Sequence, residues 1–390
     1  MIIRHGYKFR IKSTPELEEI FWCYAGHCRF AWNYFLSLNK CRLKNKQRIM
    51  RYYEMDFWSK VLKESEEYGF LREAPAHIIQ QKLRDLETAY SDAFDKNQPN
   101  KRLPRKRKKT LHSSFRFPEP KQFEIENSRV KLPKLGWVRF NNSQKIIGTP
   151  KNITISYEGG HWYISIQVER NIAQIHSIND KSYAGIDMGV VNVAAVATLD
   201  NKNTLYESRN SYKNKEEKLA KAQRKLSRRV KFSKNWRKAK VKVQKVHKEI
   251  ADARKDHLHK ISHEISKNHA IIFIEDLKIK NMSASASGTQ DKPGKNVKAK
   301  SGLNKAILDQ GLGEFRRQLE YKSHWKGGQV VAVAPHYTSQ KCSRVECGHV
   351  AKDNRKTQAK FLCVACGFSE HADINSAKNV LAAGLGRVGL

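Results

Sequence analysis

Seven residues of this 390-residue sequence are of types, and at spacings, that could do metal chemistry. Four are cysteines: Cys342-x4-Cys347-x15-Cys363-x2-Cys366 gives two knuckles that can deliver four thiolates to one tetrahedral Zn²⁺. Gly348 and Gly367 each follow the second cysteine of a knuckle, where a positive φ lets backbone N–H groups turn toward the sulfurs. The first knuckle, with four residues between its cysteines, is wider than the common two. An ion held by four protein ligands is structural rather than catalytic; the bland alternative is four unmetallated buried thiols. Cys23, Cys28 and Cys41 fall in helical stretches and are expected to be small core residues.

The other three are carboxylates at the ends of apolar elements, Asp187 in YAGIDMG, Glu275 in AIIFIED and Asp373 in HADINSAKNVL. Gly185, Asp187 and Gly189 share one strand face, as do Ile271, Phe273 and Glu275, so Asp187 and Glu275 meet if the two strands are neighbours. Phosphodiester cleavage assisted by two Mg²⁺ or Mn²⁺ ions about 4 Å apart needs such a convergence of hard oxygen ligands. Each acid has a duller reading: Asp373 as a helix N-cap, and Asp276 rather than Glu275 as the ligand. GIDMG by itself also opens actin-like ATPases.

The elements that must position these residues can be read in turn. Residues 2–11 alternate as a strand and end at Ser13-Thr14-Pro15-Glu16, a helix start with proline in the first turn. From there to about Asn97 apolar residues recur at helical spacing, as in Leu17, Ile20, Phe21, Tyr24 and in Ile78, Ile79, Leu83, Leu86, Tyr90. Residues 99–109, PNKRLPRKRKK, form either a solvated arm or one whose Arg105 and Arg107 grip phosphate. Residues 115–168 switch to short alternating runs, the last a hairpin at Glu158-Gly159-Gly160, and the strand at the N-terminus could complete a small barrel with the helices as an insertion. Residues 181–200 read as a strand pair around Gly189. Residues 213–248 hold 16 Lys or Arg against two acids, Glu216 and Glu217, and fit one or two basic helices whose Arg224, Arg228 and Arg229 touch nucleic acid. Residues 281–302 are of low complexity and look mobile; Ile307, Leu308, Leu312, Phe315, Leu319 and Trp325 fit one amphipathic helix before the strand QVVAVAP.

At 45.1 kDa and 39% hydrophobic content the chain is expected to hold two or three packed units, in a multidomain α+β fold. Lys and Arg number 75 against 38 acids, a formal +37 that would repel itself unless a polyanion neutralised it. Nucleic acid is the partner implied. No run of about 18 apolar residues and no signal-peptide core is present, so neither a membrane nor secretion is expected, and the chain should sit in the cytoplasm at a nucleoid. Seven cysteines, four of them within 342–366, do not make a disulfide scaffold.

The blocks AGIDMGVVNVAAVAT, IIFIEDLKI, LNKAILDQGLGEFRRQLEYKSHWKGGQVVAVAPHYTSQKC and CVACGF followed by HADINSAKNVL resemble, in order, those of the TnpB family of transposon-encoded RNA-guided DNA endonucleases, relatives of the compact type V CRISPR effectors. With YKFRI and CRFAWNYFL near the N-terminus, the resemblance spans nearly the whole chain. It implies an N-terminal wedge-like β-barrel (1–12 and 110–180) with a helical recognition insertion (13–109). An RNase H-like RuvC domain (181–335), a zinc ribbon (336–370) and a last RuvC helix (371–390) would follow. It places Asp187, Glu275 and Asp373 as RuvC acids on Mg²⁺ or Mn²⁺ and the four cysteines as zinc ligands. The implied partners are a guide RNA copied from the transposon end and a double-stranded target DNA beside a short motif, bound by a monomer. In the helix APAHIIQQKLRDLETAY, Gln80, Gln81 and Lys82 are the expected readers of that motif. The long first knuckle and the near absence of a polar tail depart from the family pattern. A catalytically silent zinc-ribbon regulator is the alternative; a strand-transferring transposase has no support, because no His-hydrophobe-His pair with a helical tyrosine is found.

Overall fold

The structure is a computed structural model that describes residues 2–109, 113–171 and 182–388, which divide into two compact units, residues 1–172 and 173–390. The expected domain boundary at 180/181 falls outside the described residues. None of the described helices is long and apolar enough to cross a membrane.

The N-terminal unit runs β1 (Ile2–Arg10), α1 (Pro15–Lys44), α2 (Tyr52–Glu64), α3 (Ala76–Phe94), β2 (Ser113–Phe117), β3 (Glu124–Glu126), β4 (Arg129–Leu132), β5 (Gly136–Arg139), β6 (Thr149–Glu158) and β7 (His161–Asn171). Thr14 caps α1, its hydroxyl accepting from the Leu17 N–H at 3.3 Å, with Pro15 as the first helical residue, as the start signal required. The hairpin turns at Gly159 and Gly160, both with positive φ, and pairs β6 with β7 over its length. The strands form an open antiparallel sheet, β1-β7-β6-β2, and a separate three-stranded sheet, β3-β4-β5. The expected barrel is therefore not formed. A single bridge, Ile11 to Phe140, links the chain after β1 to that after β5, and no sheet among the described residues closes. The sheet's apolar face is covered by helix instead: the Phe21 ring of α1 packs tilted against Trp162 at 5.0 Å and Phe115 at 5.9 Å between ring centres, so helices and strands share one core.

The C-terminal unit runs β8 (Tyr183–Asp187), β9 (Asn192–Thr198), β10 (Thr204–Glu207), α4 (Glu216–Ser227), α5 (Lys234–Asn268), β11 (Ile271–Glu275), α6 (Ile279–Met282), α7 (Val297–Gln310), α8 (Leu312–Trp325), β12 (Gln329–Val333), β13 (Lys360–Leu362), β14 (Ser369–His371) and α9 (Ala372–Val388). Its five-stranded sheet has the order β10-β9-β8-β11-β12, with β8, β11 and β12 parallel and β9 antiparallel to β8. Both faces are covered, which is why its strands are almost wholly apolar. Ala184, Ile186, Ile272 and Ile274 pack on α5 and α8 through Leu258, Ile261, Ile265, Phe315 and Leu319. The alternate residues face α9: a side chain at Gly185 would collide with the Ala377 carbonyl and the Leu381 backbone, and one at Gly384 with the Phe273 ring.

Two sequence expectations give way here. The single amphipathic helix is broken into α7 and α8 at Gly311, whose φ of 67° no helix interior holds, and Leu308 is left 56% exposed. The low-complexity stretch 281–302, read as mobile, runs into helix at its end, because α7 begins at Val297.

Candidate active site and metal centre

The pairing of β8 with β11 sets Phe273 opposite Gly185, so their last residues, Asp187 and Glu275, end neighbouring strands on the face that α9 covers. Asp373 lies in the first turn of α9, where the helix dipole favours a carboxylate. The three acids therefore approach from two strand ends and one helix start. They do not all lie within 4.8 Å of one another, as the four ribbon sulfurs do. The electrostatics record their approach: burial, then the negative charges of Glu275 and Asp373, raise the Asp187 carboxyl from 3.8 to about 7. Burial also pushes Glu275 up, against the pull of the Thr338 hydroxyl, which donates to its Oε1 at 2.5 Å. Asp276 points elsewhere, and its exposed carboxylate is held below the usual range by the Arg316 guanidinium 2.8 Å away. Glu275, and not Asp276, therefore shares the α9-covered face with Asp187.

Several residues that sequence reasoning did not single out complete the site. Arg355 donates to Asp373 Oδ1 at 3.0 Å, and its positive charge opposes the rise at both Asp187 and Glu275. Asn192 donates to the other Asp373 oxygen at 3.0 Å. Nothing marks Arg355 among 75 basic residues; Asn192, a lone amide within VVNVAAVA, was a readable signal.

The four cysteine sulfurs all lie within 4.8 Å of one another, Cys342 Sγ to Cys366 Sγ at 3.8 Å and Cys347 Sγ to Cys363 Sγ at 3.7 Å. Tetrahedral zinc with Zn–S bonds of about 2.3 Å requires sulfur–sulfur edges of about 3.8 Å. Gly348 and Gly367 have φ of 56° and 73°, and the long first knuckle closes through the Cys347 and Gly348 N–H groups on the Arg344 carbonyl. The cluster is fastened to α9: Asn375 accepts from the Ser343 N–H, and Asn375 and Asn379 both donate to the Lys341 carbonyl. These buried amides, one turn apart on α9, join the knuckle to the helix that presents Asp373.

The expected nucleic-acid contacts divide. Arg224, Arg228 and Arg229 are exposed at the end of α4 and just beyond. Arg105 is exposed, while the Arg107 guanidinium lies 3.7 Å from the centre of the Trp32 ring and its backbone pairs with the Asn33 amide, so this arm is anchored on α1. Gln80 is half-buried, and Gln81 donates to Asp85. Lys82 is the least accessible of these three expected readers. It is 6% exposed and paired with Asp85 at 2.8 Å, because its position follows the buried Ile78–Ile79 stripe of α3. The remaining cysteines also differ from expectation. Only Cys28 is a core residue; Cys41 is exposed and Cys23 lies in a polar cluster.

Three family models match the chain: "Probable transposase" over residues 163–286, "Cas12f1-like, TNB domain" over 313–380, and "Helix-turn-helix domain" over 1–48. Within residues 1–48 the structure holds one strand and one 30-residue helix rather than two helices. The chain is 46% identical to "Putative RNA-guided DNA endonuclease InsQ" of Escherichia coli strain K12 over 380 residues, covering 97% of this chain and 92% of that protein. It is 29% identical to a "Putative RNA-guided DNA endonuclease" of Streptomyces pristinaespiralis, over 98% and 90% of the two chains. Among solved structures, that of the mini-RNA-guided endonuclease CRISPR-Cas_phi3 aligns over 97% of this chain and 92% of its own, with a TM-score of 0.50 at 12% identity, a likeness of fold.

Proposed function

The chain belongs to the TnpB family of RNA-guided DNA endonucleases, and from that premise we propose that Asp187, Glu275 and Asp373 are its catalytic acids. The protein is a transposon-encoded nuclease that acts on DNA under the direction of a guide RNA. The observation that carries the assignment is geometric: the β8–β11 register ends neighbouring strands at Asp187 and Glu275, on the face covered by α9, whose first turn holds Asp373, and the raised Asp187 carboxyl agrees with that convergence of charge. Such a place fits a pair of hard divalent cations, Mg²⁺ or Mn²⁺. When bound, they activate water and stabilise the leaving oxygen of the phosphodiester. Asn192 and Thr338 fix the orientation of Asp373 and Glu275, and Arg355 offsets part of the acids' negative charge from its contact with Asp373.

The strand order, with one antiparallel strand beside three parallel ones and the acids at adjacent strand ends, supports an RNase H-like, RuvC-type domain. The sulfur spacing supports a structural Zn²⁺ in the ribbon at 336–370. The exposed basic helix end at Arg224, Arg228 and Arg229 is suited to the guide–target heteroduplex, and Gln80 with Arg105 to the DNA beside the target. The guide comes from the transposon end, the double-stranded target is cut next to a short motif, and the protein works as a monomer at the nucleoid.

Protein isolated from its native locus with its RNA should cut duplex DNA matched to that RNA in Mg²⁺ or Mn²⁺ and fail in Ca²⁺. Asp187→Ala and Glu275→Ala should each lose nearly all cleavage while guide and target affinity by gel shift stay within a few-fold, and Asp276→Ala should cut normally. Wild-type protein that binds but never cuts would instead favour the silent regulator, and loss of cleavage in Asp276→Ala alone would reassign the acid.

A further inference from the structure

Outside the nuclease site and the four-cysteine cluster, one other group of described side chains has metal-ligating chemistry. Cys23 and His27 stand one turn apart on α1, and Glu73, which follows the short helical turn Gly69–Arg72, reaches them from another segment. Cys23 Sγ lies 3.6 Å from His27 Nε2 and 3.4 Å from Glu73 Oε2, and these last two atoms are 3.9 Å apart. Around a tetrahedral zinc, with bonds of about 2.3 Å to sulfur and about 2.0–2.2 Å to nitrogen and oxygen, such atoms stand about 3.3–3.7 Å apart. An ion would thus enter with shifts of a few tenths of an ångström.

The ligands are also held in different degrees. The His27 ring is 7% exposed and packs at 5.4 Å on the Phe70 ring, which fixes its plane. Cys23 is half-buried, and the Glu73 side chain, 63% exposed, leaves the solvent side open. A plain hydrogen-bonded cluster would account for any two of these contacts. It does not require that sulfur, ring nitrogen and carboxylate oxygen from segments about fifty residues apart all turn toward one point.

We propose that Cys23 Sγ, His27 Nε2 and Glu73 Oε2 form a second Zn²⁺ site, separate from the four-cysteine cluster, with water as its fourth ligand. Binding releases the Cys23 thiol proton to solvent and leaves the metal charge balanced by one thiolate and one carboxylate. The ion ties α1 to the turn that leads into α3, and so stiffens the helical part of the N-terminal unit. The assignment does not depend on the nuclease reading.

The test is zinc stoichiometry by elemental analysis of the full-length protein with its RNA, equilibrated against buffered Zn²⁺, with the affinity of each ion from chelator competition. Wild type should hold two zinc ions. Cys23→Ser should hold one, Glu73→Gln should bind the second ion about tenfold or more weakly, and Cys363→Ser should lose the other ion. Circular dichroism checks that Cys23→Ser is folded, and the exposed Glu73 gives a variant that does not threaten the core. Wild type that stops at one zinc, or a second zinc held with unchanged affinity by either Cys23→Ser or Glu73→Gln, overturns the site.

Discussion

Asp187 carries a conflict that a structural residue would not be left with. Its carboxyl titrates at about 7 when folded, against an ordinary 3.8, so between those values the folded chain binds a proton that the unfolded chain has released. Stability from this group is therefore present below about pH 4 and is lost as pH rises through about 7. Asp187→Asn should stabilise the metal-free protein at pH 8 by up to about 4 kcal/mol, at about 2–4 °C in Tm per kcal/mol for a unit of this size, and the gain should shrink to nothing toward pH 4. Thermal melts in chelator at both pH values measure it, and an equal shift at both would remove the charge conflict as its cause. The same substitution should abolish cleavage, so stability and activity should move in opposite directions, as expected where strain is kept for function.

At the scale of elements, α9 does two jobs at once: it closes one face of the sheet and presents Asp373. Gly185 and Gly384 allow the close approach, because a methyl group at 185 would run into the Ala377 carbonyl and the Leu381 backbone and Cβ. Gly185→Ala should push α9 off β8, destabilise the C-terminal unit by about 1–3 kcal/mol, and lower the cleavage rate at least tenfold with guide binding intact. Native-like cleavage by this variant would show that the helix start tolerates a shift. The ribbon acts on the same helix through Asn375 and Asn379. Cys363→Ser should therefore remove the ribbon zinc, soften residues 336–388 in hydrogen exchange, and depress cleavage without touching an acid. Cleavage unchanged after zinc loss would sever that coupling.

Over the whole molecule the dominant fact is a formal charge of +37, the excess of 75 basic over 38 acidic residues, which the protein's own acids do not neutralise. In the basic segment Lys215 and Lys218 share Glu249 and Lys248 pairs with Asp252, while Arg224, Arg228 and Arg229 stay exposed. Affinity for the guide RNA should fall linearly on a log–log plot against salt. Replacing those three arginines by alanine should reduce the slope by up to about 2–3, as expected for three lost phosphate contacts. A slope equal to that of wild type would take this helix end out of the nucleic-acid surface.

The sequence alone determined the chemistry. Hard carboxylates at the ends of apolar strands, thiols at knuckle spacing and a large cationic excess are local or additive properties, readable because ligand type, period-2 faces and net charge need no tertiary knowledge. The positive φ at Gly348 and Gly367, the Thr14 cap and the Gly159-Gly160 turn were legible for the same reason. What only the tertiary structure decided is non-local. Whether strands close into a barrel depends on what else can cover their apolar face, and here α1 did. Whether Lys82 meets solvent depends on Asp85 and the core beneath α3. Arg355, Asn375 and Asn379 became part of the site only because the ribbon folds back on α9, a contact between segments whose separate patterns carry no trace of each other.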